Sequence, residues 1–420
     1  MMFAKAARLL ACFGALALCA PIPSMAQDKA PSDGVLPAGP AAGDMDLSPF
    51  YRSATPLPGK PGALLREETL ASQPGMGAAG ETLRILYVSS DARWHSGNIP
   101  ISGMLYLPKG APPKGGWPLV AWGHGTLGIA DICAPSWTGF KPRDASYLSR
   151  WLEAGFAVVA TDYQGLGGPG PHPYLHWQAA GRSVLDSIRA ALIAKPGTIS
   201  NEVLVAGQSQ GSGAALGAAR LWPEYAPELN ILGAIATAVN VTFPQGPVSL
   251  PVRNSSNMFL SFASGGLRDD GPPIDEIVSP KGKQLLDMAR RGCTSQIGQL
   301  ARDLKVRSLA ETLSISPEEL ARLRIPVTDM PMGPLGVPLF IGTGLADTTV
   351  EPNRQYAAVA ALCASGNSVA WHRYDGLTHG GVLNGSFEDS LAFAHALTGG
   401  RETASHCANL VATGAAFNTD

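Results

Sequence analysis

Short apolar runs and amphipathic stretches alternate along most of this chain. Arg84–Ser90 and Ile101–Leu107 carry apolar residues in a partly alternating pattern, which predicts an antiparallel strand pair opening a sheet. Trp117–Trp122, Phe156–Thr161, Val203–Ala206, Ile231–Ala238, Val337–Thr343 and Ser368–Tyr374 are short apolar runs, the pattern of strands buried on both faces. Helical patterns fall between them: Tyr147–Glu153, Trp177–Ile193 with Leu185, Ile188 and Leu192 on one face, Pro352–Leu362 and Ser386–Leu397. Ser386 and Asp389 have the spacing of a capping box. The alternation predicts an α/β chain with a mostly parallel central sheet covered by helices.

From Asn240 to Gly336 the alternation stops. Ser256–Ser264, Lys281–Arg291, Ser295–Leu313 and Pro317–Leu323 read as helices, and no strand of the core type appears. A stretch this long is not a loop. Residues 240–336 are therefore expected to form an inserted helical cap within a core made of residues 61–239 and 337–420. Met258, Phe259, Leu260, Phe262, Leu285 and Met288 are expected to pack inside the cap. Residues 27–60 are rich in Pro, Gly and Ala and read as a disordered or loosely draped arm, with Phe50 and Tyr51 as its anchor.

Met1–Ala26 reads as an export signal. Lys5 and Arg8 precede an apolar core, Leu9–Ala20, that is too short to span a bilayer. Ser24-Met25-Ala26 predicts cleavage before Gln27; a lipoprotein cut before Cys19 would meet Leu18 where a small residue is wanted. The mature chain is expected to be secreted or periplasmic. Of six cysteines, Cys12 and Cys19 lie in the signal. Cys133, Cys293, Cys363 and Cys407 suggest two disulfides, with three pairings open. Charged residues are 15% of the chain, the net charge is −2 and no basic run occurs, so nucleic acid is not an expected partner. No metal-ligand spacing, P-loop or dinucleotide fingerprint is present, and no metal or organic cofactor is expected.

The chemistry centres on Val203–Ala215. An apolar run ends, Gly207-Gln208-Ser209-Gln210-Gly211 follows, and a small-residue helix begins. This is the context of a nucleophile elbow: Ser209 takes a strained turn that flanking glycines permit. Asp347 and His379 each follow a separate predicted strand, and the order Ser209, Asp347, His379 is the order of a hydrolase triad. His379 would take the serine proton and Asp347 would orient the imidazole. Asp375 is the rival acid. His95, His124, His172, His176, His372, His395 and His406 are rival bases. Gly123-His124-Gly125-Thr126 ends another strand and can hold an oxyanion. Gln210 N–H is the first expected donor and Thr126 N–H the second, with Gly125 as fallback. A peptidase could use the same three side chains, whereas a non-catalytic binding protein on this fold would have no need of all three.

With these residues in place, the chain resembles the secretory lipase family, the yeast lipase A type. Ser48-Pro49-Phe50-Tyr51, Pro61-Gly62 with Arg66, Gly123-His124-Gly125-Thr126 followed by Cys133-Ala134-Pro135-Ser136, the Ser209 elbow, Gly344-Leu345-Ala346-Asp347 and Thr378-His379-Gly380 carry the resemblance. It implies an α/β-hydrolase fold with a cap, export, and serine hydrolysis of a small-molecule or lipid ester, often an acylglycerol, with transient contact at a lipid interface. It also implies the disulfides Cys133–Cys293 and Cys363–Cys407. Yeast-type members carry an acidic residue on the oxyanion side where this chain has Gly-His-Gly-Thr. The second donor is therefore not carried over, and neither are acyl length, the alcohol or an oligomeric state.

Overall fold

The computed structural model describes residues 34–39, 42–241, 255–264, 273–323 and 329–412. The export signal expected over residues 1–26, with Cys12 and Cys19, lies outside these. Nine strands form one sheet: β1 Leu64–Thr69, β2 Ala79–Ser90, β3 Asn98–Pro108, β4 Trp117–Gly123, β5 Ala157–Thr161, β6 Ile199–Gln208, β7 Ile231–Thr237, β8 Leu339–Gly344 and β9 Val369–Tyr374. Their order is β1-β2-β3-β5-β4-β6-β7-β8-β9. β1, β2 and β3 pair antiparallel, β3 meets β5 antiparallel, and every later neighbour is parallel.

The near-continuous apolar runs follow from burial on both faces. In β6, Val203 and Val205 join one core cluster while Leu204 and Ala206 join the other. Helices α3 (Trp177–Ala194), α4 (Gln210–Tyr225) and α10 (Pro352–Ala364) cover the first face; α2 (Pro142–Glu153) and α12 (Phe387–Thr398) cover the second, with α11 (Gly381–Gly385) before α12 and the short α1 (Pro135–Thr138) before α2. β1, which the pattern does not predict, is an edge strand whose Arg66, Glu67, Glu68 and Thr69 are exposed. Charge on an exposed edge opposes pairing with another chain, and it also removes the apolar signal.

Between β7 and β8 lie α5 (Ser255–Ala263), α6 (Ile274–Ile277), α7 (Pro280–Arg291), α8 (Thr294–Asp303) and α9 (Pro317–Arg322). Met258, Phe259, Leu260, Phe262 and Leu285 share a third apolar cluster, and Met288 packs against it. The single helix expected over Ser295–Leu313 is two pieces. α8 ends before Lys305, whose φ is +50°, and a 3-10 turn covers Leu309–Thr312. A left-handed residue stops the helical hydrogen-bond run there. Cys293, at the start of α8, is disulfide-bonded to Cys133, and Thr294 N–H donates to the Leu127 carbonyl at 2.7 Å. Cys363 is bonded to Cys407. No helix among the described residues is long and apolar enough to cross a membrane.

Two further expectations are corrected. Ser386 does not build a capping box: its Oγ donates to the Leu383 carbonyl, and Asp389 instead accepts from Tyr374 OH at 2.6 Å. The reason is that α11 runs almost directly into α12, so Ser386 caps no free helix start. The described part of the arm is docked rather than loosely draped. Asp44 Oδ1 accepts from Gly170 N–H, Asp131 Oδ2 accepts from Met45 N–H, and Asp131 N–H donates to the Gly43 carbonyl. Phe50 and Tyr51 are buried, and Arg66 Nη1 donates to the Pro49, Phe50 and Arg52 carbonyls.

Candidate active site

β6 delivers Ser209 at the carboxyl end of the sheet. Its φ of +58° and ψ of −118° are strained for a residue with a side chain. The turn closes so tightly that a Cβ on Gly207 would lie 1.9 Å from the Gly211 carbonyl oxygen, and one on Gly211 would lie 1.9 Å from that of Gly123. Only glycine fits either place. Ser209 N–H donates to the Thr237 carbonyl at the end of β7, at 3.0 Å.

Asp347 follows β8 and His379 follows β9. The two loops are joined: Ala346 N–H donates to the Leu377 carbonyl at 3.0 Å and Leu345 N–H to the Tyr374 carbonyl at 3.0 Å. His379 Nε2 lies 2.9 Å from Ser209 Oγ, and its Nδ1 lies 2.8 Å from Asp347 Oδ2. A carboxylate accepts from Nδ1–H, so Nε2 is left to accept the serine proton. Asp347 is buried and fully engaged. Its Oδ1 accepts from Thr349 and Val350 N–H, and its Oδ2 accepts from Gln355 Nε2 at 3.0 Å. Asp375, the residue immediately after β9, is exposed. None of the rival histidines has a hydrogen bond to Ser209 among the described residues.

His124 and His172 hold the surroundings instead. His124 is buried, its Nδ1 donates to the Gly125 carbonyl at 2.7 Å, and burial lowers its pKa. His172 Nδ1 donates to the Gln164 carbonyl, so Nε2 accepts from Gln210 Nε2 at 2.8 Å. Burial pulls the His172 pKa down to about 3, against the opposing effect of the Gln164 carbonyl, and this keeps the ring a neutral hydrogen-bonding part. Gln210 begins α4, where backbone N–H groups have no partner within the helix. Gly125 rests against the Gln208 side chain, 2.8 Å from Oε1 to a Cβ built there, and Gln208 Nε2 donates to the His379 carbonyl at 3.0 Å. Thr126 Oγ1 pairs with Tyr174 OH at 2.9 Å. Thus Gln210, Gly125 and Thr126 lie on segments that flank Ser209.

Sequence reasoning missed the polar side chains behind this arrangement. Gln208 sits inside the pentapeptide and could have been singled out there. Gln355, fully buried on the helix expected over Pro352–Leu362, carried the signal of an inward polar residue. His172 was named only as a rival base, and it and Gln164 lie in irregular backbone that leaves no periodic trace.

Sheet order, crossover pattern and elbow define an α/β-hydrolase fold. Solved structures of similar shape include Candida antarctica lipase A, with TM-score 0.66, 18% identity and coverage of 87% of this chain and 88% of that one. The rice cell wall degrading esterase LipA from Xanthomonas oryzae superimposes with TM-score 0.63 at 16% identity, covering 82% of this chain and 100% of that one. At these identities the likeness is one of fold. In sequence, the secretory lipase family model matches residues 138–246. Lipase A of Arthroderma benhamiae is 26% identical over 234 residues, 53% of this chain and 48% of that protein. Lipase 5 of Candida albicans is 40% identical over 118 residues, 24% of each chain. The chain therefore resembles secretory lipases, and the matches span about half or less of the relatives' length.

Proposed function

We propose that this chain is an exported serine carboxylester hydrolase acting on lipid-like or other apolar esters. The observation that carries the reading is the continuous line from Asp347 Oδ2 through His379 to Ser209 Oγ, at 2.8 and 2.9 Å. Ser209 Oγ attacks the ester carbonyl carbon while His379 Nε2 takes its proton. The resulting oxyanion is received by Gln210 N–H and by Thr126 N–H, or Gly125 N–H in its place. His379 then protonates the departing alcohol oxygen, leaving Ser209 acylated. Water attacks the acyl carbon, gives one proton to His379, and the acid leaves as the proton returns to Ser209. Asp347, held by Thr349, Val350 and Gln355, keeps the imidazole oriented and balances its charge during each transfer.

Residues 240–336 serve in this reading as a cap over the site, and residues 1–26 as the export signal. Two disulfides support an oxidising destination. The test is Ser209→Ala. Hydrolysis of a 4-nitrophenyl ester and labelling by a fluorophosphonate should both be lost, with turnover down at least about 10³-fold and the melting curve retained. Wild-type turnover in that variant would end the assignment. Cleavage of peptides in preference to esters by the wild type would move the reading to a peptidase.

A further inference from the structure

Arg143 lies beside the site without a part in the proton relay. It stands in the first turn of α2 with its side chain 34% exposed. Nε and Nη2 both donate to Oδ1 of buried Asp144, at 3.0 and 2.7 Å. That pair sets the plane of the guanidinium and leaves Nη1 without a hydrogen bond among the described residues. Nη1 faces Gly380, the residue after His379, at 3.6 Å from a Cβ built there. Nη2 faces Gly125 on the oxyanion segment, at 3.7 Å from a Cβ built there. The cation thus sits between the loop of the base and the segment beside the nucleophile, and neither neighbour has a side chain to cover it. Asn384 Nδ2 donates to the Arg143 carbonyl at 3.0 Å, fixing the start of α2 to α11, the short helix that follows His379. Lys141, the residue before α2, is exposed and adds a second cation, with Nζ 3.5 Å from Thr294 Oγ1. Asp144 offsets only one of the two charges.

We propose that Arg143 and Lys141 form a subsite for a carboxylate carried by the ester substrate, so that esters of acidic molecules are preferred over neutral counterparts. The proposal rests on the hydrolase reading above and names its substrate class. An Asp144 ion pair that served only to brace α2 would account for Nε and Nη2. It would not account for a free Nη1 aimed at a bare glycine, nor for a lysine two residues earlier. A guanidinium with one edge already fixed gives up little freedom when the other edge takes a carboxylate oxygen.

The carboxylate could lie on the acyl or the alcohol side, and two matched pairs separate these. The acyl pair is the 4-nitrophenyl monoester of glutaric acid against 4-nitrophenyl pentanoate. The alcohol pair is the butanoyl ester of 4-hydroxybenzoate against that of 4-hydroxybenzamide. The readout is the ratio of kcat/KM, acidic over neutral. On one pair or the other, Arg143→Gln should lower the ratio at least about tenfold, and Lys141→Gln should lower it less. Arg143→Lys should keep part of it, and raising NaCl to about 0.5 M should lower the wild-type ratio. Equal ratios in wild type and both Gln variants on both pairs would overturn the subsite. Should Arg143→Gln fail to fold because Asp144 loses its partner, Lys141→Gln and the salt series decide in the same way. Wild-type protein that turns over none of the four esters and takes no fluorophosphonate would remove the hydrolase reading, and the subsite with it. Turnover with flat ratios removes the subsite alone.

Discussion

Gln355 places its amide between two acceptors, Asp347 Oδ2 at 3.0 Å and the Val350 carbonyl at 2.6 Å. The side chain is buried, so neither acceptor can turn to water if the amide is removed. Asp347 would keep its backbone donors but could rotate away from His379. Gln355→Met, similar in volume and without a donor, should lower kcat about tenfold with little change in KM, because orientation of the base matters in the transition state rather than in binding. Stability should fall by about 1–3 kcal/mol. Steady-state kinetics with a thermal melt separate the two effects, and an unchanged kcat would show that Asp347 is held well enough by Thr349 and Val350 alone. Ser209 poses a related problem of strain. Its positive φ is matched by Tyr163 after β5 at +72° and Ala238 after β7 at +49°. Neighbouring strands thus end in residues that favour such backbone poorly, at the edge where Ser209 emerges.

At the level of elements, what could be read ahead depended on burial. Strands such as Trp117–Gly123 are enclosed on both faces, so their residues are forced to be apolar and the run is visible. The positions of Ser209 and Asp347 were legible because β6 and β8 end in enclosed, apolar runs, whereas β9 before His379 is a partly exposed edge strand and chain order supplied that position. β1 was not legible, since only Leu64 and Leu65 are apolar and the remainder meets solvent. The break after α8 was not legible either, because Lys305 takes a left-handed backbone without a glycine to announce it. The disulfides were legible as a number but not as a pairing, which came from family resemblance. Cys133–Cys293 spans 160 residues and ties α8 to the segment beyond β4. Replacing both cysteines by serine should cost about 2–4 kcal/mol. Because the apolar cluster of α5 to α9 is separate from the two that line the sheet, and only Ile129 and Tyr174 join it from outside among its buried members, the loss should appear first as local opening. Limited proteolysis should then cut within residues 255–323 while the sheet core resists. Uniform loss of both regions in one step would mean that the segment has no independent opening.

For the molecule as a whole, the docking of the arm carries a buried charge. Asp131, next but one to Cys133, is 3% exposed and accepts from Met45 N–H through Oδ2, while its Oδ1 has no hydrogen-bond partner among the described residues. Burial, with Asp44 nearby adding to it, pushes the Asp131 carboxyl up to about 7, against the opposing pull of backbone N–H groups of Met45 and Gly167. An unfolded aspartate titrates near 3.9. Between that value and about 7 the folded chain binds the proton and the unfolded chain does not. The stabilisation is therefore complete below about pH 4 and is lost as pH rises toward 7. Asp162 and Asp186, also buried and each raised to about 6 chiefly by desolvation, add slopes of the same sign, so the wild-type profile alone does not isolate Asp131. Asp131→Asn does. The amide oxygen can still accept from Met45, and no charge develops in the buried position. The variant and wild type should melt together near pH 4 and diverge by a few degrees by pH 8, with the variant higher. Parallel melting curves across that range would mean that Asp131 titrates alike in folded and unfolded chains, and that the arm is held without a proton-linked contact.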